Sequence, residues 1–405
     1  MSRHAVILVR NTGRHDARVA RIARTLRRDG WSTTVLAVVS AEDPDPEIVV
    51  DGVPMRRLAP GARLRRGRAP APATAGATPG PALGGAPARP PAGARSLLAR
   101  ARRLVLSADF YGLAFAVARK ERPAVLHCND WNTMWVGVAA RALLGTRVVY
   151  DAHELWPDRN GRPEPRAWLL ACEWLFVRAA HAVMTTSPAY AAVMERRYGV
   201  VAQVVRNLPD SEPPALNGGP PADPPTAVYV GGVTTSRGLE QALEALARVP
   251  GLRLRIVGTG RPDYLAQLTA LAERLSVADR VRFEGPVAPA DVPAAAASAH
   301  VGLALIQPDF LSYELTLPNK LFEYLAAGVP VLASDLPAMR EVVEAHGAGR
   351  VVAPRDVGAI AAALAEMVRP DAHAALRDAA VAAGRRLSWR HERERLDAVY
   401  AAALR

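Results

Sequence analysis

The 405 residues are 50% apolar and 22% charged, a balance that excludes a disordered chain and, at this length, favours two domains of roughly 150–200 residues each. Two cysteines, Cys128 and Cys172, argue against a disulfide framework, and no run reaches the ~18–20 apolar residues needed to span a bilayer. The net charge of +12 is concentrated: residues 56–122 hold 14 Lys/Arg and 2 Asp/Glu, while residues 211–405 hold 20 basic and 22 acidic side chains.

In chain order, β-branched runs at Ala5–Val9 and Thr33–Val39 flank a helical segment with Val19, Ile22, Ala23 and Leu26 on one face. The loop Asn11–Arg18 between them carries Gly13 and Asp16, the latter placed to cap the helix. The N-terminus is not signal-like, and with few cysteines this predicts a cytoplasmic protein, soluble or peripheral to a membrane. Residues 67–94 are almost wholly Ala, Pro and Gly with scattered Arg, and read as a flexible surface insertion. The basic segment 56–122 around them suits an anionic membrane surface. Nucleic acid is not expected, because aromatic residues do not interleave with the clustered arginines.

Further strands are expected at Ala124–His127, Arg147–Tyr150 and Ala182–Thr185, with Ala167 to Met184 reading as an amphipathic helix rather than a membrane span. Residues 211–225, rich in Pro and Gly, mark a linker. A second series of strands follows at Ala227–Val230, Leu252–Val257, Arg280–Phe283, Val301–Ile306 and Val329–Ala333. Leu265, Leu268, Leu271 and Leu275 stripe one intervening helix, and a last helix runs from about Arg390 to Leu404. The alternation predicts an α/β chain of two Rossmann-like, doubly wound domains, residues 1–210 and 226–389. The terminal helix 390–405 is expected to pack back towards the first domain. Ligands of such sheets bind at the C-terminal strand edges and helix N-termini, here in a cleft between the domains.

Three stretches carry chemistry. In Leu317 to Ser334 (LPNKLFEYLAAGVPVLAS), Pro318 and Asn319 start a helix whose first N–H groups face the cleft. Lys320 adds a full positive charge there, which suits a diphosphate, and Glu323 stands one turn on, within reach of a ribose hydroxyl pair. In Tyr150 to Trp156, His153 follows a strand and should emerge at the sheet edge, flanked by Asp151 and Glu154. In Leu126 to Trp131, Asp130 is either a helix cap or an acceptor contact. His127 and Cys128 lack further ligands at zinc spacing, so no metal site is expected.

The stretch from Leu317 resembles the donor-site signature of the GT4 family of retaining glycosyltransferases, which have the GT-B fold. Tyr229 to Val233 with Arg237-Gly238-Leu239 resembles the first strand and phosphate loop of that family's second domain. Ile256 to Gly260, Val281 to Gly285 and Ser388-Trp389 fall in the family's order. The resemblance implies a donor site of Gly231, Gly232, Arg237, Glu314, Pro318, Asn319, Lys320, Leu321 and Glu323, with the nucleotide base held near Glu284 to Val287. It makes His153 a contact of the donor sugar and, with Arg237 and Lys320, a catalytic candidate. It places Gly13, Asp16, Asp130, Asp151 and Glu154 on the acceptor side. The family's earlier glutamate falls on Leu315, beside Glu314, and its phosphate-loop arginine falls on Gly232. Diphosphate binding is thereby left to Arg237, Lys320 and backbone N–H groups. The resemblance implies sugar transfer from a nucleotide-diphosphate sugar to a glycan, lipid-linked or natural-product hydroxyl, with retention. The one Asp-x-Asp triplet, Asp43-Pro44-Asp45, lies in a loop after the second strand without the context of a metal site, so transfer without metal or cofactor is expected. The rival readings are a nucleotide-sugar epimerase of the same architecture and a non-catalytic nucleotide-sugar-binding protein.

Overall fold

The structure, a computed structural model, describes residues 3–14, 16–40, 42–61, 92–159, 164–210 and 224–405, with backbone alone for 92–101. The predicted insertion 67–94 and linker 211–225 lie almost entirely outside the described residues.

The first sheet comprises β1 (His4–Leu8), β2 (Ser32–Val38), β3 (Glu47–Val50), β4 (Val53–Leu58), β5 (Val125–Asn129), β6 (Arg147–Ala152), β7 (Ala182–Thr185) and β8 (Gln203–Val204), in the order β3-β4-β2-β1-β5-β6-β7-β8. The second comprises β9 (Thr226–Val230), β10 (Arg253–Val257), β11 (Val281–Glu284), β12 (Val301–Ala304), β13 (Val331–Ser334) and β14 (Gly349–Val352), in the order β11-β10-β9-β12-β13-β14. Every pairing is parallel except the hairpin of β3 and β4. Each order reverses next to its first strand, at β1/β5 and at β9/β12, which opens a crevice at the C-terminal strand ends.

The helices of the first half are α1 (Ala17–Arg28), α2 (Ala92–Glu121), α3 (Met134–Leu144), α4 (Arg166–Ala179) and α5 (Pro188–Tyr198). Those of the second are α6 (Leu239–Leu246), α7 (Pro262–Arg274), α8 (Val292–Ala296), α9 (Leu311–Glu314), α10 (Asn319–Ala326), α11 (Pro337–His346), α12 (Val357–Met367), α13 (Pro370–Arg386) and α14 (Trp389–Leu404). Local signals explain their ends. Asp16 accepts from Val19 N and caps α1, which closes with Arg27 and Arg28 in its last turn. Ser187 caps α5, Pro188 occupies its first turn, and Gly199 ends it in the left-handed region.

Each sheet is covered on both faces, so its central strands are wholly buried. The terminal helix α14 packs on the first domain. Trp389 Nε1 donates to Thr25 Oγ1 at 2.9 Å, and fully buried Glu392 accepts from Arg206 Nη2 at 2.7 Å and Arg206 N at 2.9 Å. The expected helix Ala167 to Met184 ends earlier, at Ala179, because the chain turns into β7 at Ala182.

Candidate active site

The two crevices face each other across a cleft of about 790 Å3 lined by both domains, a size that accommodates a nucleotide-linked ligand. On the second-domain wall the chain leaves β9 through Gly231, at φ 134°. A Cβ on Gly258 would stand 1.9 Å from the Gly231 carbonyl oxygen, so this crossing of two backbones requires glycine and keeps the wall free of side chains.

Tyr229, the penultimate residue of β9, donates its hydroxyl to Gly232 O at 2.6 Å and offers its ring as a platform. Lys320 Nζ rests 3.5 Å from the centroid of that ring. Lys320 lies in the first turn of α10, which has no side-chain cap and no acid there, so its leading N–H groups are open to an anion. Tyr324 pins this helix to the sheet: its hydroxyl accepts from Val230 N at 2.9 Å and donates to Leu303 O at 3.2 Å. Among the described residues no carboxylate comes within ion-pair range of Lys320, which is 9% exposed. Burial therefore holds its amine well below the ordinary lysine pKa, Arg237 adds repulsion, and Glu323 offsets only part of this. The Arg237 guanidinium carbon sits 5.0 Å from the Tyr313 ring. Two cations with so little compensating charge are preorganised for an anionic ligand.

Glu323 stands one turn further into the cleft, where burial pushes its carboxyl above the usual range against the pull of Arg21 and Lys320. Arg21 comes from α1 on the opposite wall, and burial lowers its pKa to about 10. Pro286, Val287, Pro289 and Val292 give one end of the cleft an apolar lining.

His153 follows β6 on the first-domain wall. Its Nε2 lies 3.3 Å from Asp151 Oδ2 and 3.2 Å from Asn129 Oδ1, and its Nδ1 lies 3.5 Å from Asp130 Oδ2. Burial alone would depress this imidazole, but Asp130 and Asp151 outweigh it and raise the pKa to about 9. Fully buried Asp151 is itself held by Arg18 through two bonds of 2.8 Å. Burial would raise that carboxyl, yet Arg18 and then His153 keep it well below the usual range. His127 Nε2 stands 3.5 Å from the same carboxylate, while its Nδ1 meets Tyr400 Oη of α14 at 2.9 Å.

The cleft brings together Asp16, His153, Glu154, Gly231, Gly232 and Arg237 with Val287, Pro318, Asn319, Lys320 and Glu323. The other candidates sit elsewhere. Leu321 is turned fully into the core. Gly13, at φ 75°, packs beneath the first loop, where a Cβ would meet Met55 Sδ at 2.8 Å. The Glu284 side chain bonds Arg255 at 2.8 and 2.9 Å rather than facing the cleft. Glu314 is exposed outside it. Asp151 is sealed beneath His153. Asp130, at φ 62°, does not cap the following turn; its carboxylate accepts from His153 N at 3.3 Å. Asp151 and Asp130 thus both bear on His153, the first sealed beneath it and the second beside it.

Sequence reasoning missed Arg18, Arg21 and Asn129, because arginines on a surface helix read as solvated. One signal was available: Arg18 lies in the first turn of α1 and Arg21 just beyond it, where positive charge opposes the helix dipole. Among the described residues no group of three or more His, Cys, Asp or Glu side chains is arranged for a metal.

Residues 15–210 match the family model described as "Glycosyl transferase 4-like domain" and residues 224–369 the one described as "Glycosyl transferases group 1". A D-inositol 3-phosphate glycosyltransferase from Mycolicibacterium paratuberculosis is 26% identical over 305 residues, 69% of this chain and 67% of that protein. A GDP-mannose-dependent alpha-(1-6)-phosphatidylinositol monomannoside mannosyltransferase from Mycobacterium tuberculosis is 35% identical over 165 residues, 40% of this chain and 41% of its own. Among solved structures, a sucrose-phosphate synthase from Thermosynechococcus elongatus superposes with a TM-score of 0.69 at 21% identity, covering 99% of this chain and 96% of the other. Anabaena HepE in complex with UDP-glucose gives 0.68 at 16% identity, covering 98% and 99%. The chain belongs to the GT4 family of glycosyltransferases, and its paired domains are those of the GT-B fold.

Proposed function

We propose that the enzyme binds a nucleoside diphosphate sugar across the cleft and transfers the sugar to a hydroxyl with retention of anomeric configuration. The observation that carries this is the placement of Lys320: stacked on Tyr229, beside bare Gly231 and Arg237, at the uncapped start of α10, opposite His153. Breaking the bond from the anomeric carbon to the diphosphate leaves negative charge on the departing oxygens. Lys320, Arg237 and the first N–H groups of α10 stabilise that charge as it develops, which is where such groups accelerate the step most. Glu323 accepts from the ribose hydroxyls, and Val287 with its neighbouring prolines covers the base.

His153 carries a proton through neutral pH and orients the sugar from the facing wall. The acceptor hydroxyl approaches on the face the diphosphate leaves. Its oxygen bonds the anomeric carbon while its proton passes to the departing phosphate oxygen, so the reaction balances without a protein base or a metal. The names of the relatives, GDP-mannose-dependent in one case and bound to UDP-glucose in another, support a nucleotide sugar as donor. Two relatives act on inositol phosphate or phosphatidylinositol mannoside by their names, which supports a polyol or lipid-linked glycan as acceptor.

The test is incubation with a panel of UDP- and GDP-sugars in chelator, following nucleotide release and the anomeric configuration of the product by NMR. Release from at least one donor and a product of unchanged configuration support the reading. Tight binding without turnover by any donor, or an inverted product, contradicts it.

A further inference from the structure

Away from the cleft, the surface departs most from an ordinary one on α4. Its inner face is fixed by Leu169, Cys172 and Phe176 and by Glu173, which is buried where the Tyr150 and Tyr198 hydroxyls donate to its carboxylate at 3.1 and 2.7 Å. The opposite face presents Trp168, 55% exposed, Trp174, 49% exposed, and Leu175, 39% exposed, separated by exposed alanines. Trp168, Ala171 and Leu175 recur at i, i+3 and i+7, so they form one stripe. Trp174 stands about 120° round the helix from Trp168, so the two indoles edge one exposed arc, the kind of apolar patch that a partner covers.

The charge around the stripe says what kind of partner. Glu173 is the only acid in α4 and it points inward, so the outer face has no carboxylate and is bracketed by Arg166 and Arg178. The Arg178 guanidinium lies 3.9 Å from the Trp174 ring, and Arg141 of α3 donates to Arg178 O at 2.7 Å. Leu143, two residues beyond Arg141, is 72% exposed. Beside the stripe an open groove of about 520 Å3 has Leu170, Ala171 and Trp174 along its apolar side and Arg166 and Arg197 among its polar lining. Those two guanidiniums share one carboxylate, Asp158, which leaves a positive charge in excess. The exposed acids nearest in sequence are Glu164 and Glu195.

We propose that this face of α4 docks on an anionic lipid bilayer, with Trp168 and Trp174 at headgroup depth and Arg141 and Arg178 on lipid phosphates. Indoles favour that interface because one edge is apolar and the N–H stays wet, and guanidiniums bind phosphate through paired N–H groups. A second copy of the chain fits less well, since a two-fold contact would set these arginines against their own images. The bilayer is met by a helix outside the basic segment 56–122. Among the described residues no helix is long and apolar enough to cross a membrane, so the contact is peripheral. It is independent of the reaction assigned to the cleft.

The experiment is co-sedimentation of the full chain with vesicles of phosphatidylglycerol and, separately, of phosphatidylcholine. The protein should bind the first and not the second, with binding falling as salt rises. Trp168→Ser/Trp174→Ser should weaken binding at least about tenfold, and Arg141→Ser/Arg178→Ser by a similar factor, since each basic residue near the surface contributes about fivefold. Both variants should keep the parent melting curve and the parent rate of donor hydrolysis, because the four side chains are exposed and outside the cleft. No binding to phosphatidylglycerol, equal binding to both lipids, or binding untouched by the tryptophan variant overturns the proposal. So does a dimer in solution that the tryptophan variant dissociates, which would make the face a self-interface.

Discussion

Replacing Lys320 with methionine separates function from stability in a single change. The substitution keeps most of the side-chain volume and removes the charge. In the free protein that charge sits 9% exposed on an aromatic face, repelled by Arg237 and only partly offset by Glu323. The fold therefore bears a desolvation cost that methionine does not. Replacing buried charge by an apolar side chain of similar size is commonly neutral or stabilising by about 1–4 kcal/mol, and the melting temperature should hold or rise. Transfer should move the other way. A charge-assisted contact is worth about 1.5–3 kcal/mol, and a donor aimed at charge developing in the transition state about 10²–10³ in kcat. We expect kcat/KM to fall at least about a hundredfold, or about 2.7 kcal/mol.

Initial rates of nucleotide release and thermal melts on the same preparations read both effects. A variant that loses activity and melting temperature together would show that Lys320 is structural, and full activity would remove it from the donor site. The same residue predicts a pH effect. Burial depresses its pKa in the empty cleft and a bound diphosphate raises it, so only above the free-state value does the complex take up a proton, and there affinity weakens as pH climbs. Calorimetry in two buffers of different ionisation enthalpy should detect that uptake, and Lys320→Met should abolish it.

The pKa of His153 lies near 9 in the fold against 6.5 ordinarily, so its contribution to stability is complete below pH ~6.5 and is lost as pH rises through about 9; it amounts to no more than about 3 kcal/mol. His153→Gln should flatten the melting profile across that window, and an unchanged profile would refute the charged state. Asp151→Asn leaves Arg18, 2% exposed, without its counter-charge and with at most one of its two bonds to that side chain, and should destabilise by about 3–5 kcal/mol in urea titration. Adding Arg18→Met should recover part of the loss, and a single-variant loss under about 1 kcal/mol would contradict the buried pair. Glu323→Ala should lower transfer at least about a hundredfold while the fold survives; an unaltered rate would take Glu323 out of the donor site.

Periodicity made most of the fold legible. Buried parallel strands are short β-branched runs, and all ten expected strands fall within a few residues of observed ones. The strands it missed lie at or near the sheet edges. β3 and β4 are half exposed and mix Arg, Glu and Pro into their pattern, although the Asp51-Gly52 turn between them is a hairpin signal. β14 opens with Gly349, and β8 has only two residues. The site was legible where local sequence builds it: the start of α10, the bare glycines after β9 and the strand-end His153. It was not legible where tertiary contact decides a side chain's direction. Nothing in the chain order shows that Glu284 turns to Arg255, or that Asp151 and Asp130 hold His153. Arg18 is the clearest case, since its partners Asp151 and Val205 lie more than a hundred residues away.

Transfer by the route proposed for the cleft requires the diphosphate to lie against Lys320. A crystal structure with an intact nucleoside diphosphate sugar measures this directly. Diphosphate oxygens should lie at hydrogen-bond distance, about 2.7–3.1 Å, from Lys320 Nζ and the first N–H groups of α10, with the sugar turned towards His153. A diphosphate bound elsewhere in the cleft, with Lys320 still resting on Tyr229 and touching no ligand, would contradict it.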